Sequence, residues 1–148
     1  MTRFVVNLIL ITVLISGCAS FNSNPVEFRA TPHITFTLNS DRFDAIEIQS
    51  SEIQLWEVSD LVSTISTIET NPQSNTAINE VKQGFVEAQK GPGNPRELQL
   101  PEGAYGFAST FRGYTTAFIA VANDNESWIT ISVKEDLFDE VLSSVNIR

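Results

Sequence analysis

The spacing of apolar and polar residues changes several times along the chain, and each change predicts a structural element. Apolar and polar residues alternate over 33–40, 43–48 and 53–58. A period of two places successive side chains on opposite faces of a strand. These three segments therefore predict half-buried strands, of which the last two form either a hairpin with a polar turn or one long bent strand.

The middle of the chain predicts two helices and a loop. Over 59–68 the apolar residues recur at helical spacing, which predicts a helix with Ser59 or Asp60 as its N-cap. A second amphipathic segment predicts a helix over 75–89. Two prolines and two glycines follow within 90–95, a composition that predicts an irregular, exposed and mobile loop.

The last third predicts an antiparallel meander of three strands, 105–111, 114–121 and 128–133, joined by short polar turns. Asp136 is the expected N-cap of a final helix, whose apolar stripe extends to Val145. Strands that are apolar on one face need a cover, and helices can supply it. The pattern thus predicts an α+β fold, an antiparallel sheet with packed helices that ends in the meander and a helix.

An apolar run over 4–15 stands apart at the N-terminus, behind a short segment with one positive charge, Arg3. Its 12 residues are too few to span a bilayer comfortably and suit the hydrophobic core of a secretory signal. Two small residues and the only cysteine, Cys18, follow it. A lone cysteine excludes an internal disulfide.

The segment Ile15-Ser16-Gly17-Cys18 resembles the lipobox of bacterial lipoproteins. The resemblance implies cleavage after Gly17, acylation of Cys18 and a stable lipid anchor in the membrane. Ala19, where retained inner-membrane lipoproteins carry aspartate, implies the outer membrane facing the periplasm in a Gram-negative host. The predicted organisation is a signal peptide (1–17), a lipidated tether (18–30) and a single α+β domain (31–148).

The charge balance restricts the partners of the mature chain. Nine basic residues face 18 acidic ones, a formal charge of −9, which becomes −10 once Arg3 is removed. Nucleic acid is excluded as a partner because it needs clustered lysines and arginines. The same balance disfavours electrostatic adhesion to anionic lipid headgroups.

The residues needed for catalysis or for binding metal are scarce. His33 is the only histidine, and acylation would consume Cys18, so neither a histidine-dependent triad nor a zinc site is expected. We predict no cofactor and no metal. A hydrolase that uses a pair of carboxylates stays open, because such pairs are formed in space and not in sequence.

Aromatic residues offer the remaining candidate site. Most of those in the meander are expected in the core, but Trp56, Tyr105, Tyr114 and Trp128 are candidates for a binding patch. We therefore expect a non-enzymatic accessory or interaction protein of the cell envelope, with an envelope protein as partner. The alternative is a carrier or sensor of a small apolar ligand, held in a cavity between sheet and helices.

The C-terminal part from Pro101 contains the strand 128–133 and the amphipathic segment 137–145, which closes with Leu142-Ser143-Ser144-Val145. These elements resemble the end of PsbP-like domains. The resemblance implies an α/β/α sandwich and an accessory, non-enzymatic role at a membrane-bound complex. None of the functional residues of that family matches a position here.

Overall fold

Two antiparallel sheets and two helices form residues 25–148, the part of the chain that the computed structural model describes. The predicted signal peptide, Cys18 and the first part of the predicted tether lie outside these residues. The predicted α+β class is confirmed. The strands are β1 (Pro25–Arg29), β2 (Ile34–Asn39), β3 (Ala45–Ile48), β4 (Glu52–Glu57), β5 (Asp60–Glu69), β6 (Arg96–Glu97), β7 (Ala104–Phe111), β8 (Tyr114–Val121), β9 (Ser127–Lys134) and β10 (Val145–Ile147); the helices are α1 (Ala77–Ala88) and α2 (Phe138–Ser143).

The large sheet has seven strands in the order β3-β4-β5-β9-β8-β7-β6, and every described pairing in it is antiparallel. The predicted meander is present as β7, β8 and β9. The segments 43–48 and 53–58 form a hairpin, β3 and β4, and not one bent strand. A smaller sheet of order β1-β2-β10 packs against the large one.

The predicted helix over 59–68 is wrong, because this segment forms β5 at the centre of the large sheet. Half of the residues of β5 are β-branched, and such side chains favour strands over helices. Val62 and Ile65 both reach the core although they are three residues apart, because the pairing of β4 with β5 shifts register near Leu55 and Trp56. A spacing of three between core residues is also typical of a helix. By pairing with both β4 and β9, β5 joins the hairpin to the meander in one sheet.

The predicted helix over 75–89 is confirmed as α1. The Thr76 side chain accepts a hydrogen bond from the Asn79 backbone N–H and caps its N-terminus. Helix α1 covers one face of the large sheet over β7, β8 and β9. We call this face the helix face. The opposite, core face packs against β2 and α2, where Phe36, Phe138 and their neighbours form the main core.

The C-terminal segment corrects two further expectations. A 3₁₀ turn, Glu135–Leu137, precedes α2, and neither has a side-chain hydrogen bond at its N-cap, so Asp136 is not the cap. The apolar stripe of the helix is also predicted to extend to Val145. The helix is shorter than this, because the chain leaves it after Ser143 and forms β10 against β2.

Two segments expected to be loosely held are bound to the sheets. Strand β1 covers most of the described part of the predicted tether and pairs with β2 along its whole length. The loop 90–95 is irregular, as predicted, but its Gly93 carbonyl accepts hydrogen bonds from the Thr110 N–H (2.8 Å) and the Ser109 hydroxyl (3.0 Å). Within residues 25–148, no helix has the length and apolar character needed to cross a bilayer.

Candidate interaction surface

The four aromatic residues proposed as a binding patch all lie on the helix face, but at two ends of it. Tyr105 pairs with Ala120 on β8, and Tyr114 begins that strand six residues earlier. At about 3.4 Å per residue, the two positions are about 20 Å apart. Trp128 lies near Tyr105, and Trp56 lies at the Tyr114 end. The structure therefore separates the predicted patch into two pairs.

The pair beneath α1 belongs to a packed aromatic cluster. Phe85 of α1 contacts Phe107 with ring centroids 5.4 Å apart, and Phe107 stacks on Phe118 at 4.5 Å. Trp128 closes the series, 6.2 Å from Phe118. Because these rings fill the space between the helix and the sheet, Trp128 serves to hold α1 in place.

Tyr105 lies at the margin of this covered end. Its hydroxyl donates a hydrogen bond to Glu97 Oε1 (2.9 Å), and the Lys82 ammonium lies 5.2 Å from its ring centroid. Burial, followed by the hydrogen bond to Glu97 and the charge of that carboxylate, raises the pKa of Tyr105 to about 12. Tyr105 is therefore a neutral hydrogen-bond donor at physiological pH.

The rest of the helix face is not covered by α1. The strand register aligns five half-buried side chains across β4, β5, β9, β8 and β7, and we call them the polar row. All five are uncharged, and Thr116 donates a hydrogen bond to Ser132 (3.2 Å) or accepts one from it. The members of the polar row are Gln54, Thr64, Ser132, Thr116 and Ser109.

Beyond the polar row, apolar side chains gather at the strand ends, and we call them the tip cluster. It consists of Trp56, Val58, Leu61, Phe111 and Tyr114. Val58 is 86% exposed and Phe111 is 52% exposed. The Tyr114 hydroxyl donates to the Leu61 carbonyl at 3.3 Å, which links β8 to β5 at this end.

Two tight turns carry the tip cluster. Val58 and Ser59 join β4 to β5, and Arg112 and Gly113 join β7 to β8. All four residues have positive φ (50°, 66°, 52° and 80°), which identifies two-residue turns of type I′. The predicted Arg112–Gly113 turn is confirmed. The sequence shows no turn signal at Val58–Ser59, because neither residue is one that favours positive φ.

Acidic residues surround the tip cluster, and part of their charge is neutralised. Lys134 Nζ lies 3.6 Å from Asp60 Oδ2. Arg42 forms ion pairs with Glu57 and with Glu140. These ion pairs are partly exposed, so they contribute little to stability. Charged side chains therefore lie close to the apolar side chains of the tip cluster.

Two grooves open on the uncovered part of the helix face. One of about 240 Å³ is lined by Leu61, Thr64, Tyr114 and Ser132. The other, of about 320 Å³, lies beside Trp56 and is also lined by Ala45 and Glu47 of the edge strand β3. Trp56 and Tyr114 thus each line a groove, whereas Tyr105 and Trp128 lie at the covered end.

No protein-family model, curated protein or solved structure matches this chain. The chemistry of the site is therefore inferred from its own residues. Within residues 25–148, no group of three or more histidine, cysteine, aspartate or glutamate residues is placed to hold a metal ion. His33 lies in the turn between β1 and β2, where its backbone carbonyl accepts a hydrogen bond from the Arg148 N–H (3.0 Å).

Asp124 illustrates how a carboxylate in this domain serves the fold. It is buried in the turn between β8 and β9. Its Oδ1 accepts hydrogen bonds from the N–H groups of Glu126 (3.1 Å) and Ser127 (3.0 Å), and its Oδ2 accepts one from the Ser127 hydroxyl (3.1 Å). Both carboxylate oxygens of Asp124 thus accept hydrogen bonds from the turn, and these bonds close it.

Proposed function

We propose that this protein is a bacterial envelope lipoprotein, acylated at Cys18, whose folded domain acts as a non-enzymatic interaction module. On this proposal the anchor lies in the outer membrane and the domain faces the periplasm. The lipobox-like segment ending at Gly17 and Cys18 supports the anchor. Stable attachment needs more than one acyl chain, which lipoproteins of this type carry.

The observation that carries the interaction role is the uncovered part of the helix face. Four strands, from β4 to β8 in the sheet, present uncharged side chains of the polar row there, and the fifth member, Ser109 of β7, is contacted by the loop 90–95 through its hydrogen bond to the Gly93 carbonyl. The whole chain nevertheless has a formal charge of −9. Centres of protein interfaces are depleted of charged residues and enriched in aromatic ones. The polar row, with Trp56 and Tyr114 beside it, has this composition and includes two grooves that a partner's side chains can enter.

The alternative, a carrier or sensor of a small apolar ligand, has less support. It requires aromatic residues that line a space between sheet and helices. The rings under α1 instead contact one another, from Phe85 through Phe107 and Phe118 to Trp128. We therefore propose the interaction role, with an envelope protein as the partner.

The anchor is tested by metabolic labelling with palmitate. The wild-type chain is expected to incorporate label, and Cys18→Ser is expected to abolish it, because the thiol is the acylated group. Cys18→Ser would also release the domain from the membrane fraction. Palmitate incorporation that persists in Cys18→Ser would refute the anchor.

The partner surface is tested by photo-crosslinking in intact cells. A photoreactive amino acid at Thr64 or Ser132 of the polar row is expected to capture one abundant envelope protein. The matched control is the same amino acid at Gln83, an exposed position on α1. Equal capture from Gln83, or no capture from either position of the polar row, would refute the polar row as the partner surface.

A further inference from the structure

The domain begins very close to the proposed anchor. Strand β1 starts at Pro25, only seven residues after the proposed acylated cysteine, Cys18. Seven residues span at most about 25 Å, even when they are fully extended. If Cys18 is acylated, the end of the domain that carries Pro25 lies beside the bilayer.

That end is the one that carries the tip cluster. Pro25 pairs with Asn39, and the 3₁₀ turn that follows Asn39 brings Arg42 to Glu57, the last residue of β4. At the opposite end of β1, the Ala30 carbonyl accepts a hydrogen bond from the Thr67 hydroxyl (3.0 Å), near the far end of β5. Strand β1 therefore runs along β5 from the tip cluster towards the covered end.

Val58 is an unusual residue for its position. A β-branched side chain at a φ of 50° is strained, and asparagine or glycine is the usual choice in a type I′ turn. The turn is held by the Val58 N–H, which donates a hydrogen bond to the Asp44 carboxylate, but the valine side chain gains no packing there because it is 86% exposed. Strained and exposed residues of this kind point to a contact outside the chain.

The two tips form one apolar edge. Their turns are separated by three strand spacings, about 14 Å, so they project side by side. Trp56 and Tyr114 lie just behind them, and these two residue types concentrate where hydrocarbon meets water in membranes. The guanidinium of Arg112 lies 4.9 Å from the Phe111 ring centroid and adds a cation at the edge.

We propose that the tip cluster contacts the bilayer surface in which the Cys18 anchor is embedded. This inference rests on the acylation proposed above and adds an orientation to it. The tips point towards the membrane, and the polar row faces sideways along it, towards a neighbouring envelope protein. Exposed acids such as Asp60 surround the tips, so the contact is made by apolar insertion and not by attraction to anionic headgroups.

The two tryptophans provide the test. Trp128→Phe leaves Trp56 as the only reporter at the tips, and Trp56→Phe leaves Trp128 at the covered end. The acylated full-length chain is reconstituted in vesicles of phosphatidylethanolamine and phosphatidylglycerol that contain phosphatidylcholine with brominated acyl chains. We expect several-fold stronger quenching of Trp56 than of Trp128, which is about 20 Å farther along the sheet. Equal quenching of both would overturn the inference.

A second variant separates contact from folding. Val58→Asn suits the turn better than valine, so it preserves the fold while it removes the most exposed apolar side chain. In the Trp128→Phe background, Val58→Asn is expected to weaken the quenching of Trp56. Undiminished quenching of Trp56 in Val58→Asn would refute the proposed contact between the tip cluster and the bilayer.

Failure of the anchor and failure of the orientation give different results. Mass spectrometry of the reconstituted sample reports the acyl chains, and their absence would refute the proposed anchor together with this inference. Acylated protein with equal quenching of Trp56 and Trp128 would refute the orientation alone. A photoreactive group at Phe111 is expected to capture lipid. Capture of a protein instead would show that the tip cluster binds a partner chain, and would refute its contact with the bilayer.

Discussion

The two ends of the large sheet carry aromatic side chains on the same face and use them in opposite ways. At the covered end, Phe107 lies between Phe85 and Phe118, stacked on the second ring and tilted against the first, and is 1% exposed. At the tip end, Phe111, four residues further along the same strand, is 52% exposed. The two phenylalanines lie on the same face of the same strand. Phe107 is buried because α1 covers it, and Phe111 is exposed because α1 does not.

The turns at the two ends differ in the same sense. The turn between β8 and β9 lies at the covered end and is closed by three hydrogen bonds to the buried Asp124 carboxylate. The turns at Val58 and Arg112 are also tied to the domain, because the Val58 N–H donates a hydrogen bond to the Asp44 carboxylate and the Gly113 carbonyl accepts one from the Glu135 N–H (3.0 Å). They have only two residues each, however, and place the Val58 and Arg112 side chains in solvent. The covered end thus buries the side chain that closes its turn, whereas the tip end leaves its turn side chains available for contact.

The largest expected effect contrasts two phenylalanines of β7. Phe107→Ala should lower the free energy of unfolding by about 3–5 kcal/mol, because it empties the space beneath α1. Phe111→Ala should change it by no more than about 0.5 kcal/mol, since an exposed ring makes few contacts. Urea unfolding followed by circular dichroism measures both values. Similar losses for the two variants would remove the contrast between the ends.

The next effect contrasts two aspartates. Asp124→Ala should cost about 2–3 kcal/mol, because three partly buried donors lose a charged, buried acceptor. Asp60→Ala at the tip end should cost less than about 1 kcal/mol, since its ion pair with Lys134 is exposed. The same unfolding experiment tests both, and a larger loss for Asp60→Ala would contradict the assignment.

A smaller effect of opposite sign is expected at the tip. Val58→Asn should raise the free energy of unfolding by about 1 kcal/mol, because it relieves a β-branched residue from positive φ. The control is Val86→Asn, an exposed valine on α1 whose replacement relieves no such strain. A loss of stability in Val58→Asn would mean that valine packs within the domain and is not strained for display.

The last effect is absent at neutral pH, appears only at high pH and concerns Tyr105. Its pKa of about 12 in the folded chain exceeds the value of 10.0 for an unperturbed tyrosine. The unfolded chain therefore loses this proton first as pH rises, so the contribution of Tyr105 to stability is present below pH 10 and is lost as pH rises towards about 12. Tyr105→Phe should show a shallower decline than wild type in unfolding measured across this range. Identical slopes would contradict the raised pKa.

Much of the fold can be predicted from the sequence where the alternation of residues is strong. Strands β2, β4 and β7 to β9 alternate clearly, and α1 has a well-separated apolar stripe. Strand β5 cannot be recognised in this way, because its bulge brings Val62 and Ile65 into one core and imitates a helix. Strand β10 is too short to show a period, and its pairing with β2 depends on contacts more than 100 residues apart.

The candidate site is only partly predictable for a related reason. Aromatic content identifies Trp56, Tyr114 and Trp128 as notable, but the position of α1 decides which of them is covered. The exposure of Val58 and Leu61 is not recognisable in the sequence, because alternation places Val58 at the end of a predicted strand and Leu61 lies in the segment 59–68 that imitates a helix. Their exposure depends on the type I′ turn that β4 and β5 impose on Val58 and Ser59.

We propose that the tip end contacts the membrane, whereas α1 faces solvent. Cysteine labelling in membranes tests it most directly, with Phe111→Cys at the tip and Gln83→Cys on α1, both at exposed positions. If Cys18 is acylated, each variant has one free thiol. We expect a water-soluble maleimide to label Gln83→Cys equally in membranes and in detergent, and to label Phe111→Cys only after detergent is added. Equal labelling of Phe111→Cys before and after detergent would contradict it.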